Sequence, residues 1–201
     1  MARYGMVMNV KTCLGCKACM AACSQWNQTP FWAEDGGKWR TRITELEDGE
    51  FPEVQRRFFP TICMHCENAG CQSVCPTGAT YTNKDGIVLI DYDLCLGCGY
   101  CIEACPYDAR YEYEKEDLEK DEFYFGEDAR HHQVHIDKCT FCVDRLEEGQ
   151  EPSCVATCVG HARIFGDLDD PNSEIAKLVN TGEAKPLGEY LATKPKVYYI
   201  K

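Results

Sequence analysis

Apolar residues occur along this chain in short stretches that end at a polar residue, and the pattern predicts short strands. Three such stretches are closed by Asn or Asp: Met6–Asn9, Val88–Asp91 and Val134–Asp137. Segments near residues 40–46 and 53–59, and the terminal Lys196–Ile200, also have the composition of strands. A helix is predicted over Ser173–Asn180, with Ser173 as its N-cap.

Two longer segments interrupt this pattern. Residues 24–62 are rich in aromatic side chains, which we expect to belong mostly to the core: Trp26, Phe31, Trp32, Trp39, Phe51, Phe58 and Phe59. Residues 110–133 are acidic and rich in tyrosine, with the charge concentrated at Glu112–Asp121. We expect a solvated loop there, with a docking surface for a partner as the alternative.

The sixteen cysteines carry the chemistry. They fall into four blocks: Cys13, Cys16, Cys19 and Cys23; Cys63, Cys66, Cys71 and Cys75; Cys95, Cys98, Cys101 and Cys105; Cys139, Cys142, Cys154 and Cys158. Three closely spaced thiolates can bind three corners of a cubane, and a fourth cysteine set three residues further on ligates the other cluster in two-cluster ferredoxins. The spacing therefore predicts four [4Fe–4S] clusters, with all sixteen cysteines as iron ligands.

Disulfides and zinc are the alternatives. Disulfide scaffolds are usually secreted chains under about 80 residues, whereas this chain has 201, and cysteines three residues apart close loops too small to constrain the unfolded state much. Zinc sites combine two separated Cys-x2-Cys pairs. They give no role to a third closely spaced cysteine, or to the Cys75-Pro76 and Cys105-Pro106 steps that belong to a ferredoxin run.

The four blocks are internal repeats. Three of them are followed, four residues after the last cysteine, by an alanine (Ala79, Ala109 and Ala162), whereas Asn27 holds the matching place after the first block. The simplest arrangement is nested: a central ferredoxin-like unit at residues 63–133, and an outer unit built from residues 1–62 and 134–201. We therefore expect an α+β fold of two 2[4Fe–4S] units with short strands, short helices and long loops, in which each Cys-x3-Cys pair spans one helical turn.

Charge and hydropathy limit the partners. The formal net charge is −12, and sixteen thiolates with four cores of +2 each would bring it to about −20. This charge disfavours nucleic acid and anionic membrane surfaces as partners.

The first ten residues lack the features of a signal peptide, and no apolar run reaches the roughly 18–20 residues of a membrane span. We therefore expect any membrane association to run through another subunit.

His65 and Lys17 lie inside the blocks and could act on a cluster. His65, between Cys63 and Cys66, could be a ligand or a proton carrier, but cysteines already fill every corner. A hydrogen-bond donor behind the ligands, or simple packing, is therefore the better interpretation. Lys17 is a candidate for raising the reduction potential of one cluster, with a solvated surface lysine as the alternative.

Nothing in the chain indicates a site for substrate chemistry, so we expect no enzyme activity from the chain alone.

The four-block pattern, with four residues inside the second block and eleven inside the fourth, resembles the electron-transfer subunits of the molybdopterin (dimethyl sulfoxide reductase) oxidoreductases. The resemblance extends over nearly the whole chain, including residues 106–111 (PYDARY), 138–142 (KCTFC) and 165–171 (FGDLDDP). By length and by these segments, the chain is most similar to polysulfide and arsenate reductase iron–sulfur subunits. It departs from the family pattern at Val159, where relatives usually have proline.

The resemblance implies four ligand sets in a defined order. Nearest the catalytic subunit are Cys13, Cys16, Cys19 and Cys158, followed by Cys139, Cys142, Cys154 and Cys23, then Cys63, Cys66, Cys71 and Cys105, and finally Cys95, Cys98, Cys101 and Cys75 on the quinone side. We call them the first to fourth sets. The implied partners are a large catalytic subunit with a molybdenum or tungsten bis-pterin cofactor and, in many relatives, a membrane anchor subunit.

The leading hypothesis is thus an electron-transfer subunit that joins a molybdoenzyme or tungstoenzyme to a redox partner. A free polyferredoxin and the iron–sulfur subunit of a soluble, non-respiratory molybdoenzyme remain alternatives. Localisation stays open, because family members that work outside the cytoplasm are exported together with a catalytic subunit that carries the signal. Such a complex would be membrane-associated at the periplasmic face, or else cytoplasmic.

Metal analysis of the anaerobically purified protein separates clusters from zinc. We expect about 16 iron atoms and about 16 acid-labile sulfides per chain, since four clusters each contain four of both. Stoichiometric zinc without sulfide would contradict the cluster prediction.

Overall fold

The computed structural model describes residues 2–31, 38–126 and 136–201. Its strands are β1 Tyr4–Asn9, β2 Thr41–Asp48, β3 Gln55–Ile62, β4 Thr80–Thr82, β5 Val88–Ile90, β6 Tyr111–Glu112, β7 Ile136–Asp137, β8 Arg163–Asp167, β9 Lys185–Pro186 and β10 Val197–Ile200. Its helices are α1 Ala18–Asn27, α2 Gly70–Ser73, α3 Tyr100–Glu103, α4 Lys115–Phe125, α5 Val143–Glu147, α6 Ser153–Ala156 and α7 Glu174–Asn180, with a 3₁₀ turn at Glu189–Leu191. The predicted α+β class is confirmed.

A four-stranded sheet joins the two ends of the chain in the order β8-β1-β10-β9. Strand β1 lies parallel to β10 and antiparallel to β8. Both faces of β1 are covered: Met6 and Met8 belong to the largest core cluster, whereas Val7 packs in a second cluster with Ile175 of α7. A strand buried on both faces is a continuous apolar run instead of an alternating one, which explains the Met6-Val7-Met8 stretch.

The remaining strands form three antiparallel pairs: β2–β3, β4–β5 and β6–β7. The predicted strands at Met6–Asn9, Val88–Asp91, 40–46, 53–59 and Lys196–Ile200 are confirmed as β1, β5, β2, β3 and β10. The third stretch before a cysteine block is strand β7 at Ile136–Asp137, whereas Val134 and His135 lie outside the described residues.

The helices also follow the local sequence. Helix α7 begins after Ser173, whose hydroxyl accepts a hydrogen bond from the Ala176 N–H, as predicted. Helix α1 contains both Cys19 and Cys23. In the other blocks the next-to-last cysteine lies in a single turn, namely α2, α3 or α6, and the last cysteine follows that turn.

Two expectations are wrong. The acidic segment is not a loop: Lys115–Phe125 is helix α4. Its Glu, Lys and Leu residues are good helix formers, and the Asp117 carboxylate accepts the Glu114 N–H at 3.0 Å where the helix starts.

The aromatic side chains of residues 24–62 were expected mostly in the core, yet none of the six described is fully buried. Phe59 stacks on Tyr199 with ring centroids 4.8 Å apart, but Phe51, in the connection between β2 and β3, is 93% exposed. Phe58 and Phe59 of β3 are half-buried, so of the hairpin's aromatic residues only Phe51 stays at the surface. Trp32 lies outside the described residues.

A buried carboxylate ties the segments together. Asp137 is fully buried and pairs with Arg40 Nε at 2.8 Å. The Tyr92 and Tyr111 hydroxyls donate to the same carboxylate at 2.8 and 2.7 Å. Burial and the Asp137 charge raise the pKa of both tyrosines, so they remain protonated donors. Through this network, Asp137 of β7 is joined to Arg40, just before β2, and to Tyr92, just after β5.

Within the described ranges, no helix has the length and the apolar composition needed to cross a bilayer.

Replacing Asp137 by Asn should destabilise the protein strongly, because it leaves the buried Arg40 guanidinium without a counter-charge. Breaking a buried ion pair by removing one partner typically costs about 3–5 kcal/mol. Anaerobic urea unfolding followed by tryptophan fluorescence would measure the change.

Asp108→Asn is the matched control, since Asp108 pairs with Arg42 at the surface and its side chain is 81% exposed. Equal urea midpoints for the two variants would show that the buried network does not stabilise the fold.

Candidate metal centres

Three of the four implied cysteine sets line separate cavities. The first set, Cys13, Cys16, Cys19 and Cys158, lines one cavity. The second set, Cys23, Cys139, Cys142 and Cys154, lines another, and the fourth set, Cys75, Cys95, Cys98 and Cys101, lines a third. Each cavity therefore combines three cysteines of one block with the last cysteine of another.

The third set also lies together. The Cys66 thiol is close enough to Cys63, Cys71 and Cys105 for their charges to interact. The charge of Cys105 interacts with Cys63 and Cys71 in turn. All sixteen cysteines thus lie in four groups, and none is left without a group.

The cysteines are arranged for something larger than a single ion. Among the described residues, which include every cysteine, no three His, Cys, Asp or Glu side chains converge as the ligands of one metal ion do. Four-coordinate zinc needs sulfurs about 2.3 Å from one centre. Four sulfurs spread around an empty space instead fit the corners of a cubane.

Left-handed backbone conformations shape the loops. Gly15, in the first block, has φ +65°, and a Cβ there would lie 2.3 Å from the Phe58 ring, so only glycine fits. His65, Phe141 and Cys142 also have positive φ, between 45° and 53°, which is uncommon for residues with side chains. Such residues turn the backbone sharply, and cysteines only three residues apart can then line one cavity.

Backbone amides point at the sulfurs. The Ala162 N–H donates to the Cys158 sulfur at 3.2 Å, and the Thr80 N–H donates to Cys75 at 3.4 Å. The Ala162 amide belongs to a Cys-x3-Ala segment, and the Thr80 amide directly follows one, where the backbone passes close to the last cysteine of the block. Hydrogen bonds to sulfur stabilise the thiolate and help to set the potential of a bound cluster.

Asn27 replaces this alanine after the first block, and its side chain takes over the role. The Asn27 amide Nδ2 donates to the Cys23 sulfur at 3.4 Å and lies 3.8 Å from the Cys142 sulfur. Its Oδ1 accepts from Arg40 at 2.6 Å, which fixes the amide orientation. Asn27 therefore links the Asp137–Arg40 pair to the second set.

The thiols of Cys66 and Cys154 would be protonated in an empty site. Burial raises the pKa of Cys66 to about 12 and that of Cys154 to about 11. The thiolate is the metal ligand, and coordination deprotonates a thiol. The N–H donors around the sulfurs thus suit the coordinated state, and the residues present fit an iron–sulfur cluster.

The sequence analysis missed two buried arginines beside the sulfurs. Arg110 Nη2 donates to Cys71 at 3.2 Å, and Arg163 Nη2 donates to Cys19 at 3.3 Å. A signal was present: each arginine follows the alanine of a Cys-x3-Ala segment, at the fifth position after Cys105 and Cys158. The Cys-x3-Ala repeat was recognised in the sequence, but the arginine that follows it twice was not.

His65 packs against the core. Its ring is fully buried and stacks on Phe141 with centroids 3.8 Å apart, and Nδ1 accepts the Val88 N–H at 3.2 Å. Burial, together with the charges of Lys138 and other cations, holds the pKa of His65 well below its ordinary value, so the ring is neutral. Nε2 then carries the proton, and it has no partner among the described residues.

Lys17 lies at the surface. Its side chain is 54% exposed and pairs with Glu45 at 2.9 Å. The solvated alternative therefore describes this lysine better than a role in raising a potential, because an exposed and paired charge is screened.

The four cysteine groups differ in exposure. Cys16 of the first set and Cys98 of the fourth are exposed, whereas all four cysteines of the second set are buried. Leu14 and Leu96, which hold the same position in their blocks, are 62% and 69% exposed beside these cysteines. Two of the four groups thus open to the surface, each next to an exposed leucine.

Two known protein families match parts of this chain. Residues 12–79 match one family described as a 4Fe-4S dicluster domain. Residues 54–126 and 124–168 match a second family of the same description.

Similar proteins are components of reductases. The B subunit of tetrathionate reductase from Salmonella typhimurium is 39% identical, over 98% of this chain and 72% of its own length. The B subunit of selenate reductase from Mesobacillus selenatarsenatis is 42% identical, over 97% of this chain and 70% of its own length. The corresponding component of polysulfide reductase from Wolinella succinogenes is 39% identical, over 98% of this chain and 94% of its own length.

Single serine variants test the exchange of last cysteines. Cys16→Ser and Cys142→Ser would identify the EPR signals of the clusters bound by the first and fourth blocks. We expect Cys23→Ser to change the same signal as Cys142→Ser, because Cys23 lines that cavity. A change in the signal identified by Cys16→Ser would contradict the exchange.

Proposed function

Because this protein belongs to the family of four-cluster [4Fe–4S] electron-transfer subunits of the molybdopterin oxidoreductases, we propose that it connects a large molybdopterin catalytic subunit to a membrane anchor subunit. It carries four [4Fe–4S] clusters, which supply one-electron transfer, and it is the electron-transfer subunit of a multi-subunit complex instead of its catalytic subunit. The identity of the two partners, and which end each partner contacts, are the proposal.

We also propose that the four sets hold one cluster each, in the order first to fourth, within the nested units 1–62 plus 134–201 and 63–133. The sheet that joins β1 to β8 and β10 supports an outer unit made from both ends of the chain. The cavities support ligand sets drawn from two blocks.

The observation that carries the proposal is the contrast in exposure along the series. The first and fourth sets reach the surface at Cys16 and Cys98, while the second set is buried throughout. A relay needs two ends at which a partner can come close, and its inner members are best kept from water and from other redox agents. The order of exposure therefore supports transfer from one end to the other.

The catalytic subunit is proposed to dock beside the first set. A groove there is lined by apolar side chains, among them Leu14 and Phe58, and by Cys13 itself. Four basic residues also line it: Lys11, Arg56, Arg57 and Lys201. Arg56 pairs with Glu47 and Arg57 with Asp48, so the positive charge of this rim comes mainly from Lys11 and Lys201. In a chain of net charge −12, such a rim favours a partner segment that is apolar and acidic.

The membrane anchor subunit is proposed to dock beside the fourth set. Leu94, Leu96 and Tyr100 surround the exposed Cys98 and are 50%, 69% and 62% exposed. This patch is apolar and lacks the basic rim of the first site, so it suits a different partner.

The equivalent leucines provide a matched test. Leu14→Asp should weaken binding of the catalytic subunit at least about tenfold, while Leu96→Asp should release the complex from the membrane anchor, because each places a charge in an apolar contact. Anaerobic gel filtration and membrane fractionation of the co-expressed complex would measure both effects.

Tyr190→Asp, at a side chain 89% exposed and outside both patches, is the control, and unchanged iron content shows that the clusters remain. If both leucine variants assembled like the wild type, the two docking sites would be wrong. A chain that purified from its native source only as a 22.8 kDa monomer would instead support a free polyferredoxin.

A further inference from the structure

Five cations are buried in the described part of the chain, and three of them lie between successive cysteine sets, one for each step. Of the other two, Arg40 pairs with Asp137, and Lys196 interacts with Cys66 and Cys63 of the third set. Arg163 and Arg110 are 4% and 3% exposed, and Lys138 is completely buried. A buried charge is costly unless an opposite charge compensates it. The neighbours of each cation therefore show what that opposite charge is.

Arg163 joins the first and second sets. Its Nη2 donates to the Cys19 sulfur of the first set at 3.3 Å, and its Nη1 lies 3.7 Å from the Cys154 sulfur of the second. The Thr41 hydroxyl accepts a further hydrogen bond at 2.7 Å. Burial by itself would lower the pKa of Arg163, but the charges of Cys154 and Cys19 raise it, so the guanidinium stays charged.

Arg110 occupies the same place between the third and fourth sets. Its Nη2 donates to the Cys71 sulfur of the third set at 3.2 Å, and the side chain lines the cavity of the fourth set. Thr80 accepts from Nη1 at 3.2 Å, as Thr41 does from Arg163. The Arg110 Nε is buried without a hydrogen-bond partner among the described residues.

Lys138 lies between the second and third sets, and hence between the two proposed units. Its ammonium donates to the Cys139 carbonyl at 2.8 Å and to the Val88 carbonyl. Burial lowers the pKa of Lys138, while the charges of Cys63 of the third set and Cys139 of the second raise it. Carbonyl oxygens solvate the ammonium without neutralising it, so its positive charge acts on both sets.

No carboxylate neutralises the two arginines. The ion pairs formed within the described part of the chain include neither Arg110 nor Arg163. Arg40 shows the alternative, because its guanidinium is balanced by Asp137 at 2.8 Å. The compensating charge of Arg110 and Arg163 is therefore that of the cysteine thiolates and whatever they bind.

We propose that Arg163, Lys138 and Arg110 are positioning residues for electron transfer, each of which raises the reduction potentials of the two clusters it lies between. This rests on the proposed ligand sets. A fixed positive charge in a medium of low dielectric stabilises the added electron on either neighbour. The electron lost by one cluster is gained by the next.

Charge-removing and charge-keeping variants test the proposal in the intact complex. Arg163→Gln should lower the midpoint potentials of the clusters of the first and second sets and leave the fourth set unchanged. Arg110→Gln should lower those of the third and fourth sets and leave the first unchanged. We expect at least a tenfold change in the ratio of reduced to oxidised cluster, equivalent to about 59 mV for one electron, in anaerobic redox titrations followed by EPR.

Lysine variants and a surface arginine complete the design. Arg163→Lys and Arg110→Lys should restore most of the shift, because they keep the charge. Arg3→Gln should shift nothing, since Arg3 is 40% exposed and already paired with Glu67 and Asp169. Iron content is measured first. If a glutamine variant loses iron, the corresponding lysine variant is used as the test instead. Because lysine keeps the positive charge, midpoint potentials about 59 mV below those of the wild type in that variant would overturn the proposal.

Full iron content with unshifted potentials in both glutamine variants would overturn the cation proposal and leave the proposed function intact. A uniform shift of all four clusters would overturn it as well, because the effect would then be one of net charge. Failure of the ligand sets themselves is seen separately, in the Cys23→Ser experiment.

Discussion

Each cluster cavity takes cysteines from two blocks, and the rest of the fold depends on this constraint. Cys158 lines the same cavity as Cys19, although the two cysteines are 139 residues apart in the sequence. The pairing of strands β1 and β8 holds the segments that carry them side by side. A site of this kind does not exist in the unfolded chain. Cluster binding and folding are therefore coupled, and the cysteines Cys19, Cys63, Cys139 and Cys154 accordingly belong to the main hydrophobic core with Met6 and Tyr199.

The charge distribution follows from the same constraint. The surface is acidic, with a net charge of −12 before any thiolate is counted, while the interior holds Arg40, Arg110, Arg163 and Lys138. Arg40 is compensated by a carboxylate, whereas Arg110 and Arg163 face sulfur. Internal cations reduce the cost of concentrating thiolates in a small volume, and N–H donors from Ala162, Thr80 and Asn27 contribute in the same direction.

The two halves of the molecule repeat one local design with different side chains. Arg110 with Thr80 and Arg163 with Thr41 make equivalent contacts, yet Thr80 follows Ala79 in the block repeat while Thr41 begins strand β2. In the same way, Asn27 uses a side-chain amide where Ala162 uses its backbone. Residues 24–62, which include Asn27 and the hairpin β2–β3, thus supply contacts that the block repeat provides in the other half of the molecule.

The spacing of neighbouring residues was enough to predict the number of clusters, the leading strands and the Ser173 cap, because each of these depends on local order along the chain. The Cys-x3-Ala-Arg repeat was also visible there, but spacing does not say where an arginine side chain lies. The folded arrangement was needed to show that Arg110, Arg163 and Lys138 lie between sets, that Asp137 is buried, and that Cys16 and Cys98 are the exposed cysteines. These properties arise from contacts between residues up to 144 positions apart in the chain, and helix α4 shows that even a local pattern of charges can be mistaken for a loop.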